Sequence, residues 1–438
     1  CNNQVGEMQS AMKHYYNINK IFLSKLGGWP TQSKFMKILL PTIITSFVFS
    51  IGFLQVNSCR SLYCRRAKMF TIIIIDFQFV RLSETWQTIT EDCECFIVML
   101  ITFGAYCKLF TIVFKNKNLE HLLSLIDYHW RIFTHSLEIQ IMHEYAIVGR
   151  KMTISYAVAV MIYSLMSLYM LIPVTPQLLD LFIPLNKSRS YKYLFDIDYS
   201  FDREVYYYPV LLHSYLTTVL TMSLMVITDT SYMSLAQHAC SLFAAVGHRL
   251  ENLVPESNSK KNNYFVEDVK DVICDKSNSR DYEDQTYHEL VLLLRKHQLS
   301  IQYAHLLNSL FEMYSFMLLF ITILIMSLLG IQIISLMNHK EEMVRYVAMV
   351  IGAFIHLFVL SYPGQKIMDH SADIFHKAYN MLWYKTSRRT TRLLSILLYR
   401  GFVPCTLTAG KMYVLSMANY ASMMQASMSY FTALSSFR

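Results

Sequence analysis

Residues 401–411, GFVPCTLTAGK, end in the Gly-Lys pair of a phosphate-cradling loop. They fail as one, because Cys405 stands where the first glycine is needed and Met412 follows the lysine instead of Ser or Thr. His143-Glu144 and His288-Glu289 open like zinc-protease helices, yet neither has a second histidine one turn further on. The 9 cysteines include only two close pairs, Cys59/Cys64 and Cys93/Cys95, neither with the spacing of a zinc pair, so no metal site is expected. Asp and Glu are nearly absent from the apolar blocks, which leaves no paired-carboxylate hydrolase and no carboxylate proton relay. His213 and His356 are the titratable groups expected inside those blocks, both as hydrogen-bonded packing residues. Neither an enzyme nor a cofactor is expected.

The blocks that hold these residues are membrane spans. The 438 residues are 54% hydrophobic and 16% charged, against about 25% charged in a soluble domain. The net charge of +8 is scattered between apolar stretches, with no basic helix of a nucleic-acid-binding type. Seven segments approach the ~20 apolar residues that a crossing needs: 37–56, 93–114, 152–172, 209–230, 312–336, 343–363 and 404–436. No cleavable leader precedes the first span, which then acts as signal anchor, and the absent initiator Met points to an incomplete N-terminus. With the N-terminus inside, inner connections hold 25 Lys and Arg and outer ones 11, the sense that the positive-inside rule favours. The expected fold is therefore an all-α membrane protein with seven transmembrane helices, a cytoplasmic N-terminus, an extracellular C-terminus and projecting cytoplasmic helices. The sequon at Asn186 falls in an outer connection, so a glycan is expected there.

Two connections are unusual. Residues 57–80 put basic side chains outside and contain TIIIIDFQFV, too short to span. An outer hairpin, a membrane-resting segment and an inserted stretch are all compatible with them. Residues 255–285 have a linker composition, whereas 286–310 are amphipathic and run into the fifth span without a breaker.

Steps of three and four residues place Lys411, Leu415, Ala418, Ser422, Gln425, Ser429, Thr432 and Ser436 on one helical line. Its outer part is polar, while Met423, Met424, Met428, Tyr430 and Phe431 occupy neighbouring faces. Such a line is costly against lipid, so it faces either another helix or water. Water would require several such helices around an axis.

The same stretch carries a resemblance. Pro404, Leu407-Thr408-Ala409-Gly410-Lys411, Leu415-Ser416 and Ser429-Tyr430-Phe431-Thr432 are similar to the C-terminal signature of insect odorant receptors. Gly364-Gln365, Ser371 and Trp383-Tyr384 resemble the family's stretch after its sixth span, and KNKNLEHLLSLID resembles its first inner loop. The similarity covers nearly the whole chain apart from about 57–80.

The resemblance implies a ligand-tuning subunit of a tetrameric, odorant-gated, non-selective cation channel, assembled with the odorant-receptor coreceptor in the plasma membrane of olfactory neurons. Its partners would be that coreceptor, a small volatile or apolar ligand, membrane lipid and permeating cations, with no nucleic acid. The last helix would line the pore with Ser422, Gln425, Ser429 and Thr432. Ala433 and Phe437 would form the constriction and Ser436 would stand beside the ion path. Ligand would bind among the outer halves of spans two, three, four and six. That region holds Cys95, Met99, Tyr163, Met166, Tyr169, Met170, His213, Tyr215, Thr218, Tyr346 and Met349. Residues 1–363 would form the ligand-binding part, and 364–438 the cytoplasmic anchor helix with the pore helix. A homomeric gustatory-type channel is the nearest alternative. A G-protein-coupled receptor would need the opposite orientation, and a transporter would need internal repeats or interrupted helices with buried charges.

Overall fold

Ten long or medium helices and one short hairpin dominate the residues that the computed structural model describes, which are 16–29, 32–50, 82–166, 174–176, 182, 205–254, 271–336 and 340–436. Helix α1 is Asn17–Lys25 and α2 covers 34–50. Helices α3 (Leu82–Phe114), α4 (Asn116–Ile132) and α5 (Ser136–Met166) follow. The long helices are α6 (Tyr207–Glu251), α7 (Asp271–Ser335) and α8 (Lys340–Asn380). A 3₁₀ turn at Trp383–Lys385 leads into α9 (Arg388–Gly401). Strands β1 (Thr408–Ala409) and β2 (Tyr413–Val414) pair antiparallel before α10 (Met417–Ser436).

Five of these helices are long and apolar enough to cross a bilayer; α2 and α10 fall on the first and last of the seven expected spans. The 65 residues of α7 at ~1.5 Å each extend on the order of 100 Å, about three times a ~30 Å hydrocarbon core. Much of α7 must therefore stand outside the bilayer, as expected for the unbroken run from 286 onward. Its first turns also occupy part of the 255–285 stretch read as linker. Connectivity puts α1, α4, α9 and the projecting parts of α5 to α8 at one end, called basal below. Residues 57–80 lie outside the described residues.

Side-chain spacing explains the basal end. In α4, Leu119, Leu122, Leu123, Ile126 and Trp130 are buried at helical steps of three and four and join the main core with Leu293, Leu307 and Leu310 of α7. Glu138 at the start of α5 accepts both bonds of the Lys296 ammonium of α7, at 2.7 and 2.6 Å. That ammonium also stands 4.9 Å from the centre of the Phe133 ring. Charge and apolar packing thus fix α5 against α7 at the same level.

His129 of α4 lies 3.2 Å from His238 of α6 through Nδ1 and Nε2, and His238 Nδ1 meets the Tyr16 hydroxyl at 3.3 Å. Burial pushes His129 down from 6.5 to about 4, so the folded chain resists a proton that the unfolded chain takes up. The His129 contribution to stability should be complete above about pH 6.5 and fall as pH drops toward 4, by at most roughly 3 kcal/mol. Melting of the solubilised protein between pH 7 and 5 tests this. His129→Phe should make the dependence shallower, with the buried His238 and His297 supplying the remainder, and an unchanged slope would count against the assignment.

Candidate functional site

Most of the signature residues gather at the joint between α9 and α10, while Ser429 to Thr432 lie further along α10 and Trp383-Tyr384 in the turn before α9. Residues 404–416 do not continue a helix, so the expected line through Lys411 and Leu415 begins only with α10. Two causes are local. Gly410 and Lys411 have φ of 60° and 59°, a left-handed pair that turns the chain from β1 into β2 and that glycine adopts without steric cost. Tertiary bonds hold the alternative: the Thr408 amide donates to Asn308 Oδ1 at 2.7 Å, and the Gly410 amide to the Glu312 carbonyl at 3.3 Å, both on α7. Against α8, the Cys405 amide donates to Ser371 Oγ at 2.9 Å and the Met417 amide to Gln365 Oε1 at 3.0 Å. Helix α8 runs unbroken through Pro363, and one turn along it Tyr232 of α6 donates to the Leu360 carbonyl at 3.2 Å.

Helix α10 has two unlike faces. Tyr420 and Met423 pack on the core, whereas Ser422, Gln425, Ser429, Thr432 and Ala433 are exposed. The hydroxyls of Ser422 and Thr432 donate to the carbonyls of Ala418 and Ser429, at 3.1 and 2.9 Å. The Ser422 oxygen keeps lone pairs for whatever meets this face. Ser436 ends the helix, its side chain outside the description, and Phe437 lies beyond the described residues.

A buried polar network joins the spans, and the sequence reading missed it. Asp229 of α6 receives the Lys108 ammonium of α3 at 2.9 and 3.0 Å. It also accepts from the Tyr156 hydroxyl of α5 at 2.9 Å and from the Tyr314 hydroxyl of α7 at 2.8 Å. His356 of α8 completes the group, its Nε2 3.1 Å from Lys108 Nζ and 3.5 Å from Asp229 Oδ2. One carboxylate thereby connects five helices. Asp229 is one of the few carboxylates in the apolar blocks, and His356, expected as a hydrogen-bonded packing residue, packs here with a hydrogen bond to the buried ion pair. The signal was present: an isolated Lys and an isolated Asp inside separate apolar spans are expensive unless they meet.

The expected ligand positions fall in two groups. Tyr346 is 5% exposed and packs with Ile97 of α3 and Leu329 of α7, with Met349 against them; α7 therefore joins this region, although its span was not among the four expected. Tyr163 reaches α8, donating to the Ala348 carbonyl at 2.6 Å. Nearer α2, His213 Nε2 meets Ser50 Oγ at 2.7 Å, and Thr218 donates to the Ser214 carbonyl at 2.8 Å. Met99 and Tyr215 are half-buried on α3 and α6. Cys95 and Met166 are helical with undescribed side chains, and Tyr169, Met170 and the sequon at Asn186 lie outside the described residues.

A bundle of seven crossing helices, with a buried ion pair between spans and a polar face on its last helix, defines a multi-pass all-α membrane protein. The family model "7tm Odorant receptor" matches residues 88–428, and the chain belongs to that family of insect odorant receptors, which are not enzymes. Odorant receptor 9a of Drosophila melanogaster is 23% identical over 241 residues, 55% of this chain and 55% of that protein. Odorant receptor Or2 of Anopheles gambiae is 24% identical over 148 residues, 34% of this chain and 39% of that one. The matches thus span about half or less of these curated relatives. The structure of olfactory receptor OR5 from Machilis hrabei in complex with eugenol aligns with TM-score 0.67 and 14% identity, covering 99% of this chain and 100% of that one. A second OR5 structure gives TM-score 0.63 and 14% identity over 97% and 98%. At that identity the likeness establishes the shared fold.

Proposed function

We propose that the chain is the ligand-tuning subunit of a heteromeric, odorant-gated, non-selective cation channel in the plasma membrane of olfactory sensory neurons. The outward polar row Ser422, Gln425, Ser429 and Thr432 on α10 carries this reading. At membrane depth such a row needs water or a polar partner. A charge-poor row of hydroxyls and one amide, with the Ser422 and Thr432 hydrogens directed to the helix backbone, suits weak selection among cations. One helix cannot enclose water, so neighbouring subunits, including the coreceptor, complete a tetrameric ring. The basal end supports assembly: Ile396, Tyr399 and Phe402 on or beside α9 are 62%, 81% and 69% exposed. The 25 inner against 11 outer basic residues favour a cytoplasmic basal end and an extracellular C-terminus.

The OR5 structure in complex with eugenol supports a small apolar ligand with a few polar oxygens. Here Met99, Tyr346 and Met349 offer adaptable apolar contact, while Tyr163, His213, Tyr215 and Thr218 offer polar handles. Cys95, Met166, Tyr169 and Met170 belong to the same proposed region. Ligand must favour the open arrangement to have any effect. It does so by shifting α8 and α10, which carries Ala433, Ser436 and Phe437 away from the axis.

Whole-cell current from cells expressing the chain with and without the coreceptor tests the proposal. Eugenol is applied first and then a panel of apolar volatiles, with residues 57–80 kept and deleted. An evoked cation current that requires the coreceptor is expected, and Phe437→Ala should change ligand-free leak. Silence across the panel at confirmed surface expression, or a response that depends on G proteins without a conductance, would overturn it.

A further inference from the structure

Gln365 is shared between two helices. Its Oε1 accepts from the Met417 amide at 3.0 Å, while its Nε2 donates to Asp369 Oδ1 at 2.7 Å one turn along α8. The Met417 amide opens α10 and belongs to the first turn, whose donors have no partner within the helix. Ser416 caps locally, its Oγ accepting from the Asn419 amide at 3.3 Å, which satisfies a different one of those donors. The Gln365 bond is therefore additional, and it survives only while α8 and the start of α10 keep their register.

Two further contacts fix that register. The Leu415 carbonyl lies against Gly364, where a Cβ would meet it at 2.2 Å. Nearly two turns back along α8, the Phe358 ring makes an edge contact with Tyr420 of α10 at 5.9 Å. Steric contact from Gly364 can push α10, but only a bond of fixed direction also pulls it. Gln365 of α8 makes such a bond, its side chain standing 3.0 Å from the Met417 amide of the α10 backbone.

We propose that Gln365 is a positioning residue that transmits displacement of α8 to α10 by capping the first amide of that helix from outside. The inference rests on reading α10 as the pore helix. Gln365→Ala removes the acceptor. Gln365→Glu keeps an acceptor and places negative charge at a helix N-terminus, where it is favoured, although it exchanges the bond to Asp369 for a like-charge pair one turn apart, a small cost on a helix surface. Met417→Pro deletes the donor at the first helical position, which tolerates proline.

The test uses the full chain co-expressed with the coreceptor. Current is evoked by eugenol or, if another panel member evokes a larger wild-type current, by that compound. Amide exchange over 415–420 is followed on the purified chain. Gln365→Ala and Met417→Pro should each shift the concentration–response about fivefold to higher concentration, the factor that one ordinary hydrogen bond supplies, at unchanged surface amount. The double variant should shift no further, and Gln365→Glu should restore most of the response. Exchange near Met417 should rise in Gln365→Ala. Faster exchange with an unchanged response would make Gln365 a structural cap and overturn the proposal, as would independent, additive shifts. A wild-type chain that no panel member activates would overturn the channel reading and this inference together, whereas a responsive wild type with responsive variants would overturn the inference alone.

Discussion

Asp229→Leu should destabilise the protein by roughly 3–5 kcal/mol, the range for removing one partner of a buried ion pair. Lys108 would be left with a side chain 5% exposed and His356 Nε2 as its nearest remaining acceptor, at 3.1 Å. The hydroxyls of Tyr156 and Tyr314 would lose the carboxylate they now share, and each buried donor without a partner costs about 1–3 kcal/mol. The loss does not stay local, because the five side chains come from α3, α5, α6, α7 and α8. Lys108→Met should be damaging for the mirror-image reason. Combining Lys108→Met with Asp229→Leu should recover much of the deficit, since an apolar pair of similar volume often replaces a buried ion pair at little cost. Melting of the detergent-solubilised chain and its amount at the cell surface read the effect. A single variant that melts with the wild type, or a double variant no better than the worse single one, would refute the network's structural role.

The network also marks the limit of what the sequence disclosed. Apolar runs located the crossings because a bilayer demands about 20 such residues whatever they pack against. The projecting helix before span five was legible for a related reason, since its amphipathic period continued without Pro or Gly. Lys108 and Asp229 were harder. Each is a single charge in a different span, and only tertiary packing brings them within a hydrogen bond. The hairpin at 408–414 was hidden differently: Leu407, Met412, Val414 and Leu415 are as apolar as a span, so hydropathy merged them with α10. Pro404 and Gly410 signalled a break, but the bonds to Asn308 and Glu312 that hold it come from about 100 residues away. The outward row on α10 survives in the fold because its period depends only on local helix geometry. For Gly364 and Gln365 the sequence offered resemblance without a role, which the contact with Leu415 and Met417 now supplies.

Gly364→Ala should abolish or nearly abolish the evoked current. The added methyl would lie 2.2 Å from the Leu415 carbonyl oxygen, 2.8 Å from its Cβ and 3.1 Å from its carbonyl carbon. Two of those atoms are backbone, so no rotamer change relieves the clash. Leu415 cannot simply retreat, because it is 2% exposed and its amide donates to the Leu407 carbonyl at 2.9 Å. Either α8 moves away or the whole turn before α10 does, and both break the bond between Gln365 and Met417. Overpacking of this kind costs about 1–3 kcal/mol, enough to change how α10 sits while the bundle still folds. Gly104→Ala is the matched control: on α3 the nearest atom to a new Cβ is Leu318 Cδ2 at 3.7 Å, an ordinary contact, so current and melting should be preserved. Recording both variants beside the wild type at matched surface amount separates a general intolerance of alanine from a specific closeness of α8 to the start of α10. Equal, wild-type currents from the two would show that the joint has slack, and that motion of α8 need not move the helix carrying Ser422, Gln425, Ser429 and Thr432.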